Sequence, residues 1–133
     1  LNRFTTNLAY QTKIDKMLQQ FSSQIYRMPS AFCMLMCGLE FMFAEAYEIV
    51  IVSLNTENID MKIMELIRSY FNPNKILILK LVENAEKLEK IFPYILEMKL
   101  LENKTTVYVC SNYSCKQPTN NATKLGQLLE QKF

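Results

Sequence analysis

Residues Ile49-Val50-Ile51-Val52 form an unbroken β-branched run, and the turn-forming residues Ser53, Asn55 and Thr56 follow it closely. A short apolar run that ends in turn residues is typical of a strand covered on both faces. Strands of this kind occur in parallel sheets with helices on either side, so the run predicts an α/β fold.

Downstream of this strand, helical and strand patterns alternate, with Asn72-Pro73-Asn74 as one clear helix end. This alternation predicts right-handed βαβ units in a small three-layer βαβαβα sandwich, with a three-stranded parallel sheet ordered 2-1-3 or 1-2-3. Thr56 is the predicted N-cap of the first of these helices. The predicted elements are a helix from Ile59 to Tyr70, a strand from Lys75 to Leu81, a helix from Asn84 to Lys90, a strand from Thr105 to Cys110 and a helix from Ala122 to Lys132.

Two helices are predicted upstream. From Phe4 to Ile25, apolar residues recur at three- and four-residue intervals, which indicates an amphipathic helix. Pro29-Ser30 marks the start of a second helix from Ala31 to Ala46. This helix is apolar nearly all round, so it needs burial on most sides. We therefore expect a helical hairpin at residues 1–46 and a small α/β domain at residues 47–133.

Composition and charge exclude several classes of function. The 15 basic and 13 acidic side chains are spread along the 133 residues, so we expect no nucleic-acid binding. The chain contains no histidine, which excludes a histidine triad or a histidine zinc site within it. The most apolar stretch is interrupted by Glu40, Glu45 and Glu48, so we expect no membrane span.

The four cysteines are Cys33, Cys37, Cys110 and Cys115. The chain is long enough for a full-sized core and shows no secretory leader, so we expect reduced thiols and a cytoplasmic location. Cys33 and Cys37 lie four residues apart on one helical face, where both can line the core and be unreactive.

The segment Cys110-Ser-Asn-Tyr-Ser-Cys115 is the sharpest local feature. It begins at the predicted C-terminal end of the third strand, at the edge where open α/β sheets usually place ligands. A turn could bring the two sulfurs together for a disulfide or a shared metal, although redox and zinc motifs usually have two intervening residues. The alternative is structural: Cys110 is a small core residue, and Cys115 packs under the following loop.

Two further candidates have weaker patterns. Glu40 lies in an apolar helix, where burial would raise its pKa and create a proton donor, whereas a solvated position on the helix face would give it no such role. Ser53, Asn55 and Asn112 are candidates for a ligand-facing loop. No glycine-rich turn follows a strand, so we predict no nucleotide site. Cys110 and Cys115 lack two further ligands nearby, so we predict no bound metal, and we expect no cofactor.

Several motifs together resemble one known family. They are Pro29-Ser30-Ala31 with Leu39 and Phe41, Glu48-Ile-Val-Ile-Val52, Phe71-Asn-Pro-Asn74, Tyr108-Val-Cys110, Asn112, Cys115 and Pro118-Thr119. The chain resembles the C-terminal end of the large thioredoxin-domain proteins of the YyaL type, which include the spermatogenesis-associated thioredoxin-like proteins. It departs from similar sequences at Ser53, where a glycine is common.

The resemblance implies a parent with an N-terminal thioredoxin-like domain and an epimerase-like α/α toroid, of which this chain would be the ending. Neither the thioredoxin motif nor most of the toroid helices has a counterpart here. We therefore predict a noncatalytic C-terminal α/β module with a structural or interaction role, whose partner is the remainder of the parent. The apolar N-terminal helices predict a homo-oligomer when the chain is alone. The alternative function is a thiol redox or metal-handling module that uses Cys110 and Cys115.

Overall fold

A computed structural model of the chain describes residues 7–111 and 114–130. The backbone divides into two units, the first ending at Ala44 and the second beginning at Glu45. Each unit has its own secondary structure, and each is described by itself.

The first unit is helical. Helix α1 (Leu8–Arg27) is capped by Asn7, whose side-chain oxygen accepts a 2.9 Å hydrogen bond from the amide of Ala9. A 3₁₀ turn (Pro29–Phe32) follows and leads directly into helix α2 (Cys33–Phe43). The predicted second helix is therefore shorter at both ends, and the start predicted at Phe4 lies outside the described residues.

The second unit contains a four-stranded sheet in the order β2-β1-β3-β4. Its strands are β1 (Tyr47–Ser53), β2 (Lys75–Leu81), β3 (Thr106–Ser111) and β4 (Ser114–Cys115). β1 runs parallel to β2, whereas β3 is antiparallel both to β1 and to β4. The chain is an α/β protein, but the predicted three-stranded parallel sheet is wrong: the sheet is mixed and has a fourth strand.

β3 begins at the edge of the sheet where β2 ends. The connection from β2 to β3 contains the seven-residue helix α4 (Ala85–Ile91) and a 3₁₀ turn (Pro93–Ile95). This segment does not return the chain to the edge where β2 began, so Thr106 lies beside Val52 and β3 runs antiparallel to β1.

Helices α3 (Met61–Ser69) and α5 (Ala122–Glu130) cover one face of the sheet. The N-cap of α3 is Asp60 and not Thr56, because the Asp60 carboxylate accepts hydrogen bonds from the amides of Lys62 and Ile63. The core on this face consists of side chains from β1, β3 and both helices. These residues are Tyr47, Ile49, Ile51, Ile63, Ile67, Val107, Val109, Leu125 and Leu129.

The opposite face of the sheet contains a buried ammonium group. Lys80 of β2 is 4% exposed, and its Nζ donates to the carbonyl oxygens of Ile95 (2.7 Å), Leu96 (3.3 Å) and Met98 (3.0 Å). It also forms a 2.7 Å ion pair with Glu89 of α4. These contacts satisfy the carbonyls of the turn after α4 and attach that segment to the sheet, as a buried charge requires.

Two more lysines hold the ends of helices. Lys75 donates from Nζ to the carbonyls of Ile67 and Tyr70 at the C-terminus of α3, and it lies 5.7 Å from the centre of the Tyr70 ring. Lys116 donates to the carbonyl of Leu128 in the last turn of α5 (3.2 Å). Cations at these positions satisfy unpaired carbonyls and interact favourably with the helix dipole.

A tight turn precedes β3. Glu102 and Asn103 both have positive φ angles (52° and 55°), and Lys104 donates its amide to the carbonyl of Leu101 at 2.9 Å. Two consecutive left-handed residues are typical of the type I′ turn. The side chains of Lys104 and Asn120 donate to the Glu102 carboxylate and lower its pKa below the usual range.

We expect Lys80→Met to lower the free energy of unfolding by about 3 kcal/mol or more, because it leaves buried carbonyls and Glu89 without their cation. The matched control is Lys104→Met, which removes an ion pair whose two side chains are 67% and 72% exposed and should change stability by about 0.5 kcal/mol or less. Urea denaturation of both variants measures the difference. Equal losses would contradict a structural role for Lys80.

We expect the protein to lose stability at high pH because of Tyr47. Burial, and then the nearby Glu45 and Tyr70, raise the pKa of Tyr47 above its usual value. The neutral form is therefore favoured in the folded state, so its contribution is fully present below about pH 10 and is lost as the pH rises through the raised pKa. In urea denaturation between about pH 8 and pH 11, we expect Tyr47→Phe to lose less stability than the unaltered chain. Parallel curves would show that Tyr47 does not cause the decline.

Candidate functional site

The first candidate site is the hairpin between β3 and β4. Cys110 and Cys115 are cross-strand partners with Cα atoms 3.9 Å apart, and their Sγ atoms are joined in a disulfide. The sequence predicted reduced thiols, and it also identified this pair as the candidate redox or metal site. Asn112, the third residue of the predicted ligand-facing loop, lies outside the described residues.

The two sulfur-bearing residues differ in accessibility. Cys110 is 1% exposed, and its strand lies between β1 and β4. On β1 its direct partner is Glu48, which is 4% exposed. Cys115 lies in the outermost strand and is exposed. A reagent in solution can therefore reach the disulfide from the side of Cys115.

The segment after β4 continues along the outer edge of β3. The amide of Lys116 donates to the carbonyl of Val109 at 2.9 Å. Val107 and Thr119 exchange two backbone hydrogen bonds, at 2.8 and 3.0 Å. The disulfide thus lies at one end of a strip of chain, residues 114–119, that is bonded to β3 independently of the sulfurs.

The other predicted loop residues lie at the opposite edge of the sheet. Ser53 ends β1, whereas Cys110 pairs with Glu48 near its start, so the two positions are about 16 Å apart along the strand. Ser53 is buried and donates from Oγ to the carbonyl of Asn55 (3.0 Å). Because β3 is antiparallel, Cys110 lies at the edge where β1 and β2 begin, and not at the edge where they end.

The second candidate site is the surface of α1 and α2. Neither helix has a buried residue, although α2 contains only one charged side chain, Glu40. Cys33 and Cys37 are exposed, so the prediction that they line the core is wrong for this chain alone, and Glu40 is exposed as well. The large apolar side chains exposed on the two helices and the turn region are Leu8, Met17, Tyr26, Met28, Met34, Met36 and Phe43.

Gly38 is at the middle of α2. A Cβ atom added there would meet no other atom within 4 Å. Glycine in a helix interior costs about 0.5–1 kcal/mol relative to alanine, and no contact in the described part of the helical unit compensates for that cost. The space beside Gly38 is thus available to another protein segment.

A groove of about 1070 Å³ lies between α4 and β2. Lys80 lines it, but its ammonium group already has four acceptors, so no hydrogen remains for a ligand. Within residues 7–111 and 114–130, acidic and cysteine side chains form no group of three or more that would hold a metal ion. Among the described helices, none is long and apolar enough to cross a membrane.

Sequence reasoning missed β4, the neighbour relationship between Glu48 and Cys110, and the edge role of Thr119. The spacing of Cys110 and Cys115 contained a usable signal, because two residues five apart can face each other across a tight hairpin. The sequence around Cys110 gives no sign that it pairs with Glu48, because that pairing depends on the direction of β3.

Comparison with known proteins finds similarity over almost the whole chain. Spermatogenesis-associated protein 20 of Homo sapiens is 27% identical over 129 residues, which are 97% of this chain and 16% of that protein. The protein of the same name from Mus musculus is 26% identical over 131 residues, which are 98% of this chain and 17% of that protein. The chain thus spans about a sixth of the length of these relatives. No protein-family model matches the chain, and neither does any solved structure.

Proposed function

We propose that this chain is a noncatalytic C-terminal α/β module of a longer protein, in which it has a structural role. In this proposal, α1 and α2 pack against the remainder of that protein, and the sheet domain completes the assembly. The similarity to one sixth of the length of longer relatives supports the proposal. The parent is then a thioredoxin-domain protein with an α/α toroid, as the sequence resemblance implies, and a cytoplasmic location is part of the same proposal.

The observation that carries the proposal is the absence of any buried residue in α1 and α2. Burying one Leu, Met or Phe side chain contributes about 1.5–3 kcal/mol, and Met34 and Phe43 are 86% and 79% exposed. Helix α2 has eleven residues, and a helix of that length without tertiary packing is marginal in water. These helices therefore need a partner surface.

The remainder of a longer protein fits this surface better than a transient partner does. Apolar side chains dominate α2, and a polar rim of the kind found on transient interfaces is missing from its eleven residues. The open space beside Gly38 suits the close approach of another helix. In a longer polypeptide, such a surface would be covered permanently during folding.

We expect the isolated chain to self-associate through the same helices, because an uncovered apolar surface also binds its own copy. Phe43→Asp should reduce the associated fraction in sizing with light scattering. The matched control is Phe71→Asp in the sheet domain, where the aromatic ring is similarly exposed at 88% and should not matter. A monomer at high concentration, or equal effects of the two changes, would contradict this proposal.

A second test uses Gly38→Leu in two contexts. In the isolated chain, at a concentration low enough to keep it monomeric, the new side chain meets open space, so helix propensity should raise stability by up to about 1 kcal/mol. In the longer protein, the same side chain would enter a packed contact and should lower stability by about 1–3 kcal/mol. Thermal unfolding of both proteins gives the sign of each effect. Stabilisation in both would show that α2 is uncovered in the longer protein too.

A further inference from the structure

We infer that the Cys110–Cys115 disulfide is a reversible thiol–disulfide exchange site, at which Cys115 receives the attacking thiolate and Cys110 is the leaving and resolving thiol. The co-reactant is a low-molecular-weight thiol. This activity goes beyond the packing role of the module, because it uses the outer edge of the sheet and none of the helical surface of α1 and α2.

Accessibility determines which sulfur reacts. Cys115 is exposed on the outermost strand, whereas Cys110 is 1% exposed between β1 and β4. Exchange requires a thiolate to approach one sulfur while the other departs, so its rate depends on access to the attacked sulfur. Only Cys115 offers that access to a solvent thiol.

The exchange proceeds in two balanced steps. A thiolate forms a bond to Sγ of Cys115, and the bond to Cys110 breaks with its electron pair remaining on the Cys110 sulfur, which takes a proton from water. A second thiolate then attacks the outer sulfur of the mixed disulfide, releasing the Cys115 thiolate and a small-molecule disulfide. The protein gains two electrons, and two small thiols are oxidised.

Backbone hydrogen bonds allow the disulfide to close again after it has opened. The hydrogen bonds from Lys116 to Val109 and between Val107 and Thr119 do not involve the sulfurs. They hold the strip 114–119 on β3 after the disulfide opens, so Cys110 remains opposite Cys115. A held neighbour reacts at a high effective concentration, and Cys110 therefore displaces the small thiol and closes the disulfide again. The mixed disulfide accumulates only when Cys110 is removed.

The test uses the full chain in a Cys33→Ser/Cys37→Ser background, because those two exposed thiols would also react. With Cys110→Ser added, oxidised glutathione should form a stable adduct on Cys115, seen as one glutathionyl group by intact mass. In the matched variant with Cys115→Ser, modification of Cys110 should be slower by a factor of about ten or more. Circular dichroism confirms that each variant is folded.

The background chain itself provides a second measurement that needs no change at either site. In buffers of reduced and oxidised glutathione, alkylation followed by peptide mapping should show that Cys110 and Cys115 open and close together and reversibly. Equal modification of Cys110 and Cys115 in the matched variants would overturn the assigned order of attack. A disulfide that stays closed in every reduced buffer while the chain is folded would overturn the exchange site and leave a structural cross-link. Neither result bears on the proposed self-association of the chain through α1 and α2.

Discussion

Every residue of β1 is buried, and this single condition organises the rest of the domain. A buried backbone must hydrogen-bond along both of its edges, so the strand needs a neighbour on each side. β2 supplies one edge in parallel, after the α3 crossover, and β3 supplies the other in the antiparallel direction. Both faces of β1 must also be covered, which places α3 and α5 on one side and the α4 segment on the other.

The coverage of the second face depends on charge as well as on apolar contact. Ile95 and Met98 pack there, but the turn that contains them exposes carbonyl groups to the interior, and Lys80 satisfies those carbonyls. The same solution recurs at the ends of α3 and α5, where Lys75 and Lys116 cap the final carbonyls. Three of the basic residues are thus structural, and the net charge of the chain says little about its partners.

Local patterns predicted the elements well where local forces determine them. β2 was expected from Lys75 to Leu81 and has those bounds, because its apolar run and its flanking turn residues are both local signals. The direction of β3 was not predictable in that way, since it depends on the path of residues 82–105 across the sheet and not on the pattern of the strand itself. Because of the same error, Cys110 was expected at the same edge of the sheet as Ser53, whereas it lies at the opposite edge. Cys33 and Cys37 were expected in a core and are exposed. The spacing of Cys110 and Cys115 did identify the pair that the structure joins.

The inward orientation of Lys75 and Lys80 has a consequence for β2, which is one of the two outer strands of the sheet. Edge strands usually avoid aggregation by pointing charged side chains, especially lysines, towards solvent. In β2 both lysines turn inward, Lys75 to the end of α3 and Lys80 to the buried turn, while Leu77 and Leu79 are 44% and 39% exposed. The outer edge of β2 is therefore not protected by lysine side chains that point towards solvent. In a separated domain, this strand is therefore a template for intermolecular β-pairing.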